Sequence, residues 1–408
     1  VIIFVTGLCF LIVEPPLHMF DEPEHFRRAW DVSQGKLIPT TENGVVSTQL
    51  PDYIQFTFDR IVRTVHGDTQ NPAQIWEMLH EKPGDIHTLS EKILLSSSYS
   101  FFAYLLPAIL IRFGILIKSS ALGLLYLARL ANLLQYTLLT AWALCNAKKG
   151  KLTISALALL GLMVTQGTAI SVDSLLLGGS FLFITSVLNI ALDENKTARP
   201  PKTQLWGIIV GAFCILIAKH VYIPLLALTF IIPLEKFGTL KKKFLVNLAF
   251  WFAAGIFAIA LQSMTIQGVD PRIDYTNINI HSQLLYLAGN PIRWFRVFFT
   301  TLINNSSVYL DQFNILNGTN VGIGLFGILQ FGLVLFFAWS ESEDFNGHFS
   351  NFQKIIIGCV AFATATFIML PLYLFWTQVG AETVAGLQGR YFAPLITLLL
   401  LCFKPAFK

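Results

Sequence analysis

Charge is what this chain has least of. Only 13% of its 408 residues are Asp, Glu, Lys or Arg, against about 25% in an ordinary soluble domain, and that deficit excludes a soluble globular protein. Cysteine offers no framework either. Cys9, Cys145, Cys214, Cys359 and Cys402 all fall inside apolar runs, at no paired spacing and in odd number, so neither disulfide scaffold nor zinc site is indicated. No Gly-rich phosphate loop and no strand–helix alternation occurs, which excludes a conventional nucleotide site. The formal charge of +4 is too small to argue for nucleic acid or an acidic substrate.

What is present is apolar sequence. Hydrophobic residues make up 54% of the chain, and at about 20 residues per helix the ceiling is about eleven bilayer spans. The clearest apolar runs are 1–13, 101–117, 121–145, 152–168, 174–192, 205–218, 221–234, 244–264, 321–339, 355–375 and 391–403. Glu14-Pro15-Pro16 follows the first run where a signal peptide would have a small-residue cleavage site, so that run reads as a span. Basic clusters lie at Lys148, Lys149 and Lys151, at Lys196, Arg199 and Lys202, at Lys236 and Lys241 to Lys243, and at Lys404 and Lys408. Placing them all in the cytoplasm requires an even number of crossings between each pair. The runs satisfy this if 101–117 lies in or dips into the outer interface and 121–145 crosses.

The expected fold is an all-α polytopic membrane protein, a single transmembrane domain over residues 1–408. It has ten spans and both termini inside; eleven spans with one terminus flipped is the alternative. Two long segments then lie outside. The first outer loop, 18–120, holds twelve of the 24 acidic residues and five of the eight histidines before residue 100. The second, 265–320, contains a Pro-started amphipathic stretch at 291–302 with Arg293, Arg296, Trp294, Phe295, Phe298 and Phe299, which suits an interfacial helix.

Directly after the first span comes Met19-Phe20-Asp21-Glu22-Pro23-Glu24-His25-Phe26-Arg27-Arg28-Ala29-Trp30. Its carboxylates, imidazole and guanidiniums could supply a base with charge neutralisation nearby; a capped, solvated helix start explains the same residues. Asp173, Lys219, His220, Arg129 and Arg390 are placed at the outer ends of spans. Ionisable groups at membrane depth are functional candidates, and snorkelling to headgroups is the structural alternative. Trp30, Tyr99, Tyr104, Trp294, Tyr373 and Trp376 read as an interfacial aromatic belt, with sugar stacking the lesser reading. His18, His25, His66, His80 and His87 show no metal-ligand spacing. No metal site is therefore assigned, and a divalent cation on Asp21 and Glu22 remains an open alternative.

The acidic block, together with Ser33-Gln34-Gly35, resembles the PDEPAHFYRAY...SQG signature of a family of bacterial predicted membrane proteins within the C-type glycosyltransferase (GT-C) superfamily. Further resemblance runs through Ser98-Tyr99-Ser100 to Tyr104-Leu105-Leu106-Pro107, Ala128-Arg129-Leu130-Ala131-Asn132, Ile170-Ser171-Val172-Asp173-Ser174, Ala218-Lys219-His220-Val221-Tyr222 and Leu387-Gln388-Gly389-Arg390-Tyr391. These blocks span nearly the whole chain. The resemblance implies a GT-C-like bundle of about ten transmembrane helices, with the catalytic acid and juxtamembrane helices in the first outer loop. It implies an inverting glycosyltransferase in the plasma membrane that moves a sugar from a polyprenyl-phosphate donor to an outer-face glycan, lipid or protein. Asp21 or its neighbour Glu22 maps to the superfamily's base, and Glu24 stands where the family often has Ala.

Combining residue chemistry with the resemblance gives expected roles. Asp21, Glu22 and His25 would form the catalytic group. Lys219 and Arg390 would hold the phosphate, with Arg129, Arg293, Asp173, His220 and Tyr99 as further donor or sugar contacts. The rivals are a transporter or flippase of lipid-linked saccharides and a non-catalytic assembly protein of the same fold.

Overall fold

The computed structural model describes residues 1–19, 21–42, 45–66, 72–195, 197, 199–266, 276–314, 325–341 and 349–402. Phe20 of the acidic block, Lys196, Lys404, Lys408 and parts of the 265–320 loop and of the 321–339 run lie outside the described residues. Helices dominate. In chain order they are α1 (Ile2–Val13), α2 (Glu22–Ser33), α3 (Asp52–His66), α4 (Pro72–Glu77), α5 (Leu105–Leu116), α6 (Ala121–Asn146), α7 (Lys151–Ala158), α8 (Gly161–Thr168) and α9 (Asp173–Ala191). There follow α10 (Lys202–Ala218), a 3₁₀ segment His220–Ile231, α11 (Leu240–Ser263), α12 (Ile280–Ala288), α13 (Ile292–Asn304), α14 (Ser306–Asn314), α15 (Leu325–Ser340), α16 (Asn351–Phe375) and α17 (Ala393–Cys402).

Local sequence explains the helix starts. Ser120 and Thr239 cap α6 and α11 by accepting from Gly123 and Lys242. Ser350 and Gln353 form a reciprocal capping box on α16, and such caps satisfy amides that the first helical turn leaves free. Among the described residues four helices, α6, α9, α11 and α16, are long and apolar enough to cross a bilayer. The pair α7–α8 makes a fifth if its 64° bend is one broken span. At that bend the Tyr136 hydroxyl donates to the Ala158 carbonyl at 2.8 Å, pairing a group the break would leave bare in an apolar setting. The ten expected crossings would also need the shorter apolar helices.

Helix α9 is the axis of the bundle, with every one of its residues buried. Small residues let its neighbours close in, the usual device where lipid supplies no hydrophobic drive between helices. A Cβ added at Gly211 of α10 would lie 2.7 Å from the Phe183 nitrogen and 2.8 Å from the Gly179 carbonyl oxygen. Gly207, one turn earlier, fits against Ser186 in the same way.

The helical architecture agrees with the all-α expectation and carries one small addition. The segment after α2 contains a three-stranded antiparallel sheet of β1 (Thr41–Glu42), β2 (Val45–Pro51) and β3 (Leu89–Ile93), with β2 central. These strands are short, and their alternation is hidden in the most charged part of the chain. The sheet holds α2 in place: Trp30 donates to the Gln49 carbonyl at 3.2 Å and Thr48 donates to Asp31 at 2.5 Å.

The α6–α7 connection, the α9–α10 connection and the segment before α11 meet at one end of the bundle, where Lys148 of the first and Lys236 of the third flank Asp193 of the second at 3.4 and 2.7 Å. The α1–α2 junction, the start of α9 and the Lys219 break gather at the other.

Candidate active site

Two ionic groups occupy that second end. The first is built by a reversal of the chain. Pro15 and Pro16 end α1, and both Leu17 (φ 60°) and Asp21 (φ 64°) take left-handed backbone conformations. Such conformations are costly for a branched residue such as Leu, about 1–3 kcal/mol, and persist only where surroundings enforce them. The Leu17 amide donates to Glu22 Oε2 at 2.9 Å and the Ile170 amide to Oε1 at 3.1 Å. Arg129 of α6 closes on the same carboxylate with Nε at 2.8 Å and Nη2 at 2.7 Å. Its guanidinium also donates to the Glu14 and Pro15 carbonyls, both at 2.9 Å. Glu22 and Arg129 are thus saturated by one another and by backbone, at 0% and 1% exposure.

The second group is poorly saturated. Asp173 opens α9, where the helix macrodipole favours a carboxylate. Lys219 Nζ lies 2.6 Å from its Oδ1, projected by the extended backbone between α10 and the 3₁₀ segment (φ −150°, ψ 98°). Arg390 stands between two carboxylates, 3.8 Å from Asp173 and 3.8 Å from Asp21, beyond hydrogen-bonding range of either. Its one hydrogen bond among the described residues is Nη1 to Gln166 Oε1 at 3.1 Å. Among the described residues Arg390 Nε and Gln166 Nε2 are buried donors without a partner, and such groups are costly unless something else accepts from them. Asp21 is the exposed member, its side chain 60% accessible.

His25, one turn into α2, backs onto this group. Its Nδ1 is 2.6 Å from the Tyr104 hydroxyl and its ring packs at 5.2 Å on Tyr99. Burial lowers its pKa to about 4 against the opposing pull of Asp21 and Asp173, so the ring is neutral at pH 7. Burial also pushes Tyr99 up to about 12, which leaves it a hydrogen-bonding phenol.

From the Lys219 side opens a cleft of about 540 Å³. Tyr99, Lys219, His220 and Tyr391 form its polar head, and Leu261, Ile368, Leu372 and Phe375 are among the walls from α11 and α16. Lys219 also lies 4.7 Å above the Tyr391 ring, an attraction that holds the ammonium at the cleft mouth.

Of the residues named from sequence, Asp21, Asp173, Lys219 and Arg390 come together, with His25, Tyr99 and His220 at their margin. Glu22 and Arg129 form the separate saturated pair. Arg293 donates to the Tyr286 carbonyl at 2.6 Å and stacks on that ring, apart from the cluster. Gln166 was missed, because an amide inside an apolar run carries no sequence signal of what it faces. Among the described residues no group of three or more His, Cys, Asp or Glu side chains could hold a metal ion.

The apolar helices and the buried charges at one bundle end define the class: an integral membrane protein built mainly of helices. Over residues 4–399 the chain matches the family described as predicted membrane protein (DUF2142), and it belongs to that family. No curated protein and no solved structure gives a significant match.

Proposed function

We propose that this protein is a membrane glycosyltransferase that moves a sugar from a polyprenyl-phosphate donor to a hydroxyl of an envelope glycan, lipid or protein. The observation that carries this reading is an apolar cleft of about 540 Å³ that opens at Lys219 and Tyr391, next to Arg390 and Gln166, whose Nε and Nε2 donors have no partner among the described residues. An anionic head with a long apolar tail needs that combination. The GT-C resemblance of the same residues supports it.

In this reading ten crossings come from α1, α6, the α7–α8 pair, α9, α10, the 3₁₀ segment, α11, α15, α16 and α17. The Lys148–Asp193–Lys236 end faces the cytoplasm by the positive-inside rule, so the cluster around Asp21 faces outward. Arg390 uses its free Nε and Nη2 donors on the phosphate. Lys219 shares its charge between Asp173 and the incoming anion. Asp21, exposed and turned outward, takes the proton of the acceptor hydroxyl as its oxygen attacks the anomeric carbon. The bond to the phosphate oxygen breaks with its electron pair on the lipid phosphate, and the configuration inverts as in other single displacements. Glu22 and Arg129 hold the frame, and neutral His25 positions the start of α2.

The test uses purified protein in lipid nanodiscs with polyprenyl-phosphate sugars and envelope acceptors, following labelled sugar by mass spectrometry. Wild type should transfer, and Asp21→Asn should be slower by about 10²–10⁴-fold at unchanged folding. Full activity in Asp21→Asn would remove the assigned base. Movement of intact labelled lipid across the bilayer without bond cleavage would replace the enzyme with a transporter.

A further inference from the structure

A second cavity, of about 530 Å³, lies between the same three elements at the opposite end of the bundle. Pro224 and Phe230 of the 3₁₀ segment, Phe244 and Trp251 of α11, and Ile356 and Cys359 of α16 are among its walls, and Lys243 is the one charged residue among them. Along α11, Lys243 to Trp251 spans about 12 Å at 1.5 Å per residue. Along α16, Phe352 to Ala363 spans about 16 Å. Both match one leaflet, half of a hydrocarbon core about 30 Å thick.

The mouth of this cavity is electrostatically odd. Lys241, Lys242 and Lys243 occupy the first turn of α11, which has no acidic residue, although the positive end of a helix macrodipole disfavours cations. Among the described residues none of the three side chains forms an ion pair, in contrast to Lys236, which is spent on Asp193 and the Asn195 carbonyl. Glu235 is the neighbouring acid that acts on Lys243. Lys354 adds a further positive charge at the start of α16. Lys243 at the mouth of a leaflet-deep apolar slot, with Lys241 and Lys242 beside it in the same turn, is complementary to an anion with an attached hydrocarbon chain.

We propose that this cavity binds an anionic phospholipid of the leaflet at the lysine-rich end. One acyl chain lies between the 3₁₀ segment, α11 and α16, and the phosphate is held at the mouth by Lys243, in the field of Lys241 and Lys242. The site is separate from the cluster around Arg390 and does not depend on the transfer reaction.

The experiment delipidates the full-length protein in detergent and titrates it with phosphatidylglycerol or phosphatidylcholine of identical acyl chains, reading bound lipid by native mass spectrometry. Wild type should retain phosphatidylglycerol roughly tenfold over phosphatidylcholine. Exchange of Lys241, Lys242 and Lys243 for Gln together should bring the two lipids level. Arg199→Gln with Lys202→Gln, at the start of α10, should leave the preference intact. Ala227→Trp, which fills the slot, should weaken both lipids alike. Equal retention of the two lipids by wild type would overturn the proposal. So would a preference that survives the triple exchange, or one lost equally in the Arg199 and Lys202 variant, which would report only the general basicity of that face.

Discussion

The Glu22–Arg129 pair and the Asp21–Arg390–Asp173–Lys219 group sit at the same end of the bundle and are made of the same chemistry, yet they differ in how completely they are paired. Glu22 accepts from two amides and two guanidinium nitrogens, and Arg129 gives two further donors to two carbonyls. Arg390 has two carboxylates at 3.8 Å, one hydrogen bond and an unpartnered Nε. A saturated buried pair has nothing left to offer a ligand, whereas an unsaturated one is costly until something arrives. In the proposed reading the first group is framework, and the second receives the substrate anion.

Breaking the framework should have the largest effect. Arg129→Met leaves the Glu22 carboxylate buried with only two amides, and loss of one partner from such a pair costs about 3–5 kcal/mol. The variant should fail to yield folded protein, or melt far below wild type in a detergent thermal scan. Combining it with Glu22→Met should recover only part of the loss. Among the described residues the Leu17 and Ile170 amides and the Glu14 carbonyl would then be without partners, and the Pro15 carbonyl would keep only the His18 amide at 3.4 Å. Full recovery would show that the pair is dispensable to the chain reversal.

An intermediate effect is expected where backbone positions the second group. A Cβ at Gly389 would lie 2.7 Å from the Tyr309 carbonyl oxygen and 3.1 Å from its Cα, neither of which is the movable end of a side chain. Gly389→Ala should cost about 1–3 kcal/mol, as overpacking does, and displace the adjoining Arg390. Transfer should fall with a raised KM for the lipid donor. Unchanged donor KM would mean that Arg390 does not depend on the Tyr309 contact.

Arg390→Gln should sharpen the contrast by separating stability from activity. Asp173 keeps Lys219 at 2.6 Å and Asp21 keeps its solvent, so melting should shift by no more than the equivalent of about 1 kcal/mol. Donor use should nonetheless collapse. A variant that melted as low as Arg129→Met would merge the two groups into one framework.

Much of this end of the molecule was legible in the sequence. Asp21, Asp173, Lys219 and Arg390 are charges at the borders of apolar runs, and counting crossings between basic clusters assigns those borders to one face. Which charges pair could not be read. Arg129 and Lys219 are each a lone cation in apolar surroundings, and their partners lie 107 and 46 residues away. Whether a pair is saturated depends on backbone amides such as those of Leu17 and Ile170, which sequence does not place. The sheet was missed for a related reason, since strands of two to seven residues in a charged segment lack a long alternating pattern.

The smallest effect comes from two histidines that should respond to acid in opposite senses. His25 has a pKa of about 4 in the folded protein, lowered by burial, against an ordinary 6.5 when unfolded. The unfolded chain therefore takes up its proton first as the pH falls, and the contribution of His25, complete above 6.5, is lost between 6.5 and 4. His18, 2.8 Å from Glu14, has its pKa raised by that hydrogen bond. Its contribution is complete below 6.5 and is lost as the pH rises through the folded value. On going from pH 7.5 to pH 5, His25→Gln should lose less melting temperature than wild type, and His18→Gln should lose more. If both variants shifted in the same direction, at least one of the two local environments would differ from the arrangement at the α1–α2 junction, and the opposition between an imidazole whose pKa is lowered and one whose pKa is raised, on either side of Asp21, would not hold.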